Sequence, residues 1–112
     1  MIESYDFGKI KIDGKIYSYD VIVFADKVKE WWREDSHWVD IDDIKEILEN
    51  QPKKIIFGTG YSGLMDVAEE TKKILEKSGI EVIIEPTKKA CDIFNKFSVE
   101  KENVIAALHL TC

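Results

Sequence analysis

Two periods of apolar residues run along this chain, and they divide it into an extended first third and an alternating remainder. Phe7 to Ile12 and Lys15 to Tyr19 read as strands on either side of Asp13-Gly14, and Asp-Gly between extended runs signals a tight hairpin. Val21-Ile22-Val23-Phe24-Ala25 is a continuous apolar run of strand length, the pattern of a strand buried on both faces. Asp26-Lys27 turns the chain into a further extended piece, Val28 to Trp32. Residues Arg33 to Val39 are polar and aromatic without a period and are expected to form a loop, where binding groups concentrate.

The helical period begins at Asp40. This residue is placed as an N-cap with Asp43 three positions on, and Ile41, Ile44, Ile47 and Leu48 make the apolar stripe of a short helix that Gln51-Pro52 ends. A strand follows at Lys54 to Phe57, then the glycine loop Gly58-Thr59-Gly60-Tyr61-Ser62-Gly63. A helix is predicted from about Leu64 to Ser78, with Val67, Ala68, Thr71, Ile74 and Leu75 facing inward and Gly79 ending it. Ile80 to Ile84 completes a parallel βαβ unit. Thr87 is expected to cap a third helix reaching Phe97, with Ala90, Cys91, Phe94 and Phe97 on its inner face, and Val104 to Leu110 is a final strand. Without repeats or a linker, residues 1–112 are expected to form a single domain.

Composition narrows the function. The chain is 45% hydrophobic and 34% charged, which is globular. Its 22 acidic against 16 basic residues give a net charge of −6, which repels a phosphate backbone and argues against nucleic-acid binding. Arg33 is the single arginine, and so the single rigid fork for carboxylate or phosphate. The start of the chain has no basic-then-apolar leader and no apolar run is long enough for a bilayer, so a cytoplasmic protein without membrane contact is expected. Cys91 and Cys112 form no close pair of the kind that builds zinc sites, and the two histidines have no metal-binding spacing, so no metal and no cofactor are expected.

Strand, Gly-x-Gly-x-x-Gly, helix, strand and then Glu85 follows the layout of a dinucleotide fingerprint. Only one mononucleotide-binding half is present, however, and Asp66, Glu69 and Glu70 put negative charge in the first turns of the expected helix, where it opposes a bound phosphate. A short βα turn needs glycine for backbone reasons alone, and a small anion on the loop amides stays open beside that reading. His109 and Cys112 are near enough in sequence for a thiol–imidazole pair, and Cys91, one turn into its helix, is either dipole-activated or core.

Taken together, Trp32-Arg33-Glu34 with His37, Ile55-Ile56-Phe57-Gly58-Thr59-Gly60, Pro86-Thr87 with Ala90 and Phe94-Asn95, and the closing His109-Leu110-Thr111-Cys112 resemble the adipogenesis-associated, Mth-domain-containing family over nearly the whole chain. That family comprises small archaeal and bacterial proteins with eukaryotic relatives that include a mitochondrial complex I assembly factor. The resemblance implies an α/β fold of three layers around a central mixed sheet, with the N-terminal β-meander followed by the βαβ unit, a further helix and a final strand. It implies no established enzyme activity. If the matched positions converge, Arg33, His37, Thr59, Gly60, Thr87, His109 and Thr111 line one cleft at the carboxyl ends of the parallel strands. Two functions are then expected, with no catalytic residue assigned and the oligomeric state open. The first is a non-catalytic interaction or assembly protein with a protein partner. The alternative is a binder of, or enzyme acting on, a small anionic ligand at the Gly58–Gly63 loop.

Overall fold

A computed structural model describes residues 1–112. Its centre is a five-stranded mixed sheet. In chain order the strands are β1 (Ile2–Asp6), β2 (Lys9–Ile12), β3 (Lys15–Tyr17), β4 (Val21–Val23), β5 (Val28–Glu30), β6 (Trp38–Val39), β7 (Lys54–Thr59), β8 (Asp66–Val67), β9 (Glu81–Glu85) and β10 (Val104–His109). The helices are a 3₁₀ turn at Ile41–Ile44 running into α1 (Lys45–Asn50), then α2 (Glu69–Lys77) and α3 (Thr87–Val99). The central order is β5-β4-β10-β7-β9, with β10, β7 and β9 parallel and β4 and β5 antiparallel to their neighbours. The meander β1-β2-β3 is a sheet of its own.

Period-two alternation assigns the two faces. Ile55 and Phe57 of β7, Ile105 and Ala107 of β10 and Ile22 of β4 pack with Ile44, Ile47 and Leu75, so α1 and α2 cover one face. Ile56, Ala106, Leu108, Val21 and Val23 turn to the other face, where Ala90, Cys91 and Phe94 of α3 and Ile2, Ile10 and Ile12 of the meander meet them. The layer structure follows from the connections. The chain steps from β7 to β9 in one direction through α2, then back past β7 to β10 through α3, and right-handed crossovers in opposite directions put their helices on opposite faces. The mixed three-layer architecture is therefore the expected one.

Several local expectations change. An extra strand, β1, precedes the predicted pair, and the chain reverses at Phe7-Gly8 before β2 begins. The Asp13-Gly14 hairpin forms as predicted, with both residues at positive φ, 48° and 83°. Val39 is not loop: β6 pairs in parallel with β8. The helix expected from Leu64 starts at Glu69, because Met65 to Ala68 are drawn into extended backbone, where Asp66 N–H and Ala68 N–H donate to the carbonyls of His37 and Val39. Asp40 does cap, in a reciprocal box with Asp43 at the 3₁₀ turn. Thr87 does not cap α3, since its hydroxyl is committed elsewhere.

Candidate functional site

Register levels the end of the sheet. Glu30, Val21, Leu108, Gly58 and Glu85 are successive cross-strand partners, so the residues just beyond that row meet at one edge: Trp31, Asp20, His109, Thr59 and Pro86. This edge carries the carboxyl ends of the three parallel strands, the usual ligand position in an open α/β sheet.

Asp20 organises what gathers there. Its Oδ1 accepts from Leu110 N–H at 2.8 Å, and its Oδ2 accepts from Arg33 Nη2 at 2.8 Å and from His109 Nδ1 at 2.7 Å. A carboxylate only accepts, so Nδ1 carries the imidazole proton. Arg33 Nη2 also lies 3.3 Å from that nitrogen, a contact of two donors held together by the shared oxygen. Arg33 is sealed in: its side chain is 1% exposed, Nη2 donates to the Ser36 carbonyl at 2.6 Å, and its guanidinium lies 4.1 Å over the Trp31 ring. Burial alone would raise the carboxyl of Asp20, but hydrogen bonds from His109, Leu110 N–H and Arg33 outweigh it and hold it below the ordinary value. Three polar atoms stay buried without a partner: Arg33 Nε, Arg33 Nη1 and His109 Nε2.

The second half of the edge is built by Thr87 and Gly60. The Thr87 hydroxyl donates to the His109 carbonyl at 2.6 Å and accepts from Gly60 N–H at 2.8 Å, stitching α3, β10 and the glycine loop together. A Cβ on Gly58 would lie 2.7 Å from Leu108 Cδ2 and 2.9 Å from Thr87 Oγ1, so glycine there lets α3 approach the sheet. Gly60, at φ +108°, leaves room for the segment Leu110–Cys112, and a Cβ there would strike the Thr111 carbonyl oxygen. Tyr61 N–H then donates to Thr111 O at 3.1 Å and Leu64 N–H to Cys112 O at 3.2 Å. Thr59 Oγ1 donates to Glu85 O at 3.2 Å.

All seven positions matched by resemblance lie at this edge. Arg33, His109, Thr87 and Gly60 are joined through the contacts above, Thr111 abuts Gly60, Thr59 ends β7 opposite His109, and the exposed His37 ring stands 5.5 Å from that of His109. They do not line an open cleft. None of the four cavities in the molecule is bounded by any of the seven: the Ser36 carbonyl closes on Arg33 Nη2, and Thr111 and Cys112 lie against Gly60. The expected anion cradle is altered for the same reason. The amides of Gly60, Tyr61 and Leu64 are spent on the chain itself, and the loop does not lead directly into a helix N-terminus. Asp20 escaped the sequence reading. Its one sequence signal is an acid placed directly before the doubly buried run that becomes β4.

Residues 2–109 match the family described as "Protein of unknown function (DUF498/DUF598)". The chain belongs to this family. The conserved hypothetical protein PH1505 from Pyrococcus horikoshii OT3 is 29% identical and superposes with a TM-score of 0.91, covering 100% of this chain and 99% of that one. MT938 is 25% identical, with a TM-score of 0.86 and coverage of 100% and 98%. A Bordetella pertussis protein described as a Mth938-like domain shares the fold at 18% identity, with a TM-score of 0.73 and coverage of 97% and 84%. The Mth-domain resemblance therefore holds for family and fold. No helix is long and apolar enough to cross a membrane.

The thiols separate within this framework. Cys91 is buried against the sheet, and burial, with Asp92 adding to it, pushes its thiol up to about 12, the opposite of activation by the helix dipole. Cys112 is half-buried beside the Gly60 turn. The imidazole of His109 is turned with Nδ1 on Asp20, and no hydrogen bond joins Nε2 to the Cys112 thiol.

Proposed function

We propose that this chain is a non-catalytic interaction module that presents the rim of the closed edge to a partner protein. The observation carrying the reading is the set of large apolar side chains left in water around Leu110–Cys112. Phe7, Tyr61 and Leu64 are each more than half exposed, and the Phe7 and Tyr61 rings meet edge-on at 5.8 Å. Gly8 N–H donates to Leu110 O and Leu64 N–H to Cys112 O, so these residues border one segment and one another. Exposed aromatic anchors of this kind mark contact surfaces. Asp6 and Asp66 flank Phe7 and Leu64, and the chain carries −6 overall, so the fitting occupant is an apolar protein surface with a basic margin. An assembly factor among the relatives implied by resemblance agrees with a holding role. The small-anion alternative has less support, since the Gly60 and Tyr61 amides of the loop are already bonded.

The test is quantitative binding to a purified partner. A protein captured from the source cell, purified and titrated back, should lose at least about 10-fold in affinity with Tyr61→Ser plus Leu64→Ser, as truncating a hot-spot residue does. Its association rate should fall with added salt. Equal affinity for wild type and variant, or self-association of the chain as the only contact through this rim, refutes the reading.

A further inference from the structure

Outside the interaction rim, the edge holds one group whose chemistry the fold leaves unused, the Nε2 atom of His109. The side chain is 3% exposed, Nδ1–H is held by Asp20, and Nε2 has no hydrogen-bond partner. In that tautomer Nε2 carries the free lone pair and is a base. The ring edge bearing it faces the Gly60 turn. His109 Cδ2, bonded to Nε2, lies 2.9 Å from the position a Gly60 Cβ would take, and the carbonyl carbon of Cys112 lies 2.6 Å from the same point. Two groups that crowd one vacant Cβ position are neighbours, which puts the main chain of Cys112 beside the ring edge that carries Nε2. Leu64 N–H and Tyr61 N–H pin the main chain of that segment, and Cys112 stays partly open to solvent.

We propose that Cys112 is a nucleophilic thiol served by the Asp20-oriented imidazole of His109, and that it is a site of exchange with small disulfides. The thiol proton passes from Sγ to Nε2 as Sγ attacks one sulfur of the disulfide. The Sγ–S bond forms, the S–S bond breaks, and the departing thiolate takes up a proton from Nε2 or water. The disulfide is the only oxidant required. Asp20 is the positioning residue, fixing the tautomer and stabilising the imidazolium as it forms. Cys91 cannot resolve the product, because it is buried in the α3 face, so the mixed disulfide persists until an external thiol removes it. This makes Cys112 a site of reversible modification and not half of an oxidoreductase pair.

The experiment follows release of thionitrobenzoate from dithiobis-nitrobenzoate by the intact chain at neutral pH. One thiol is expected to react in a fast phase that Cys112→Ser removes and Cys91→Ser retains. The fast phase should exceed the rate of the same thiol in the urea-unfolded chain by at least about 10-fold, a threshold one order of magnitude below the usual lower end of base assistance. His109→Gln should slow it by a similar factor, and Asp20→Asn should move its pH–rate profile toward that of the unfolded chain. A native rate no faster than the unfolded one overturns the proposal whether or not the variants fold, as does a fast phase that His109→Gln leaves unchanged.

Discussion

Replacing Asp20 by alanine tests the organisation of the edge most directly, because one carboxylate answers three donors there. The substitution leaves Arg33, 1% exposed, without its counter-ion, and removes the acceptors of His109 Nδ1 and Leu110 N–H. Breaking a buried ion pair from one side typically costs 3–5 kcal/mol, since the remaining charge stays desolvated. The Asp20 side chain is 18% exposed, so some water reaches the gap and the lower end applies, about 3 kcal/mol. That is a large share of the roughly 5–15 kcal/mol expected of a domain this size. It corresponds to a fall in melting temperature on the order of 12 °C. Urea unfolding followed by tryptophan emission and circular dichroism measures it. A double-mutant cycle supplies the decisive sign: in the Asp20→Ala background Arg33→Met should restore about 1–2 kcal/mol, because it removes the stranded charge. A cost for Asp20→Ala below about 1 kcal/mol, or an Arg33→Met effect that simply adds to it, refutes the assignment of Asp20 as the counter-ion of a buried cation.

Other predictions follow from the same contacts. The folded-state value of Asp20 is depressed, so the stability it contributes is fully present above its unfolded value near 3.8 and is lost as pH falls through the lower folded value. Urea midpoints measured from pH 5 down to pH 2 should therefore fall more in wild type than in Asp20→Asn. Thr87→Val deprives Gly60 N–H of its buried acceptor and should cost about 1–3 kcal/mol by the same denaturation assay. Gly58→Ala drives a methyl into Leu108 and the Thr87 hydroxyl and should cost about 1–3 kcal/mol, with loosened α3 amides in hydrogen exchange. Leu75→Ala opens the fully buried α2 face and should cost about 2–5 kcal/mol without touching the edge, which a retained His109 imidazole NMR signal would verify.

The sequence by itself determined the elements whose signal is local. The continuous apolar runs of β7 and β10, the Asp13-Gly14 turn, the Asp40–Asp43 box and the inward stripe of α3 depend on residues within a few positions of one another, and all appear in the fold. Order along the chain also carried the βαβ unit, because crossover handedness leaves few alternatives, whereas the mixed sheet was what the family resemblance implied. Tertiary structure decided the rest where distant backbone competed with local preference. Met65 to Ala68 carry helical spacing, yet the carbonyls of His37 and Val39 draw Asp66 and Ala68 into extended pairing, and α2 starts later as a result. Thr87 has the composition of a cap, but a buried carbonyl and a buried amide from two other elements claim its hydroxyl first. The edge shows the limit most clearly. Its resemblance-derived residues do gather, but what they form was not legible, because Asp20 lies eighty-nine positions from His109 and only sheet register puts the two at 2.7 Å. Whether such a gathering is an open cleft or a closed polar knot depends on what fills the space between the side chains. Here the chain's own Leu110–Cys112 segment fills it, and Gly60 is the residue that makes the room.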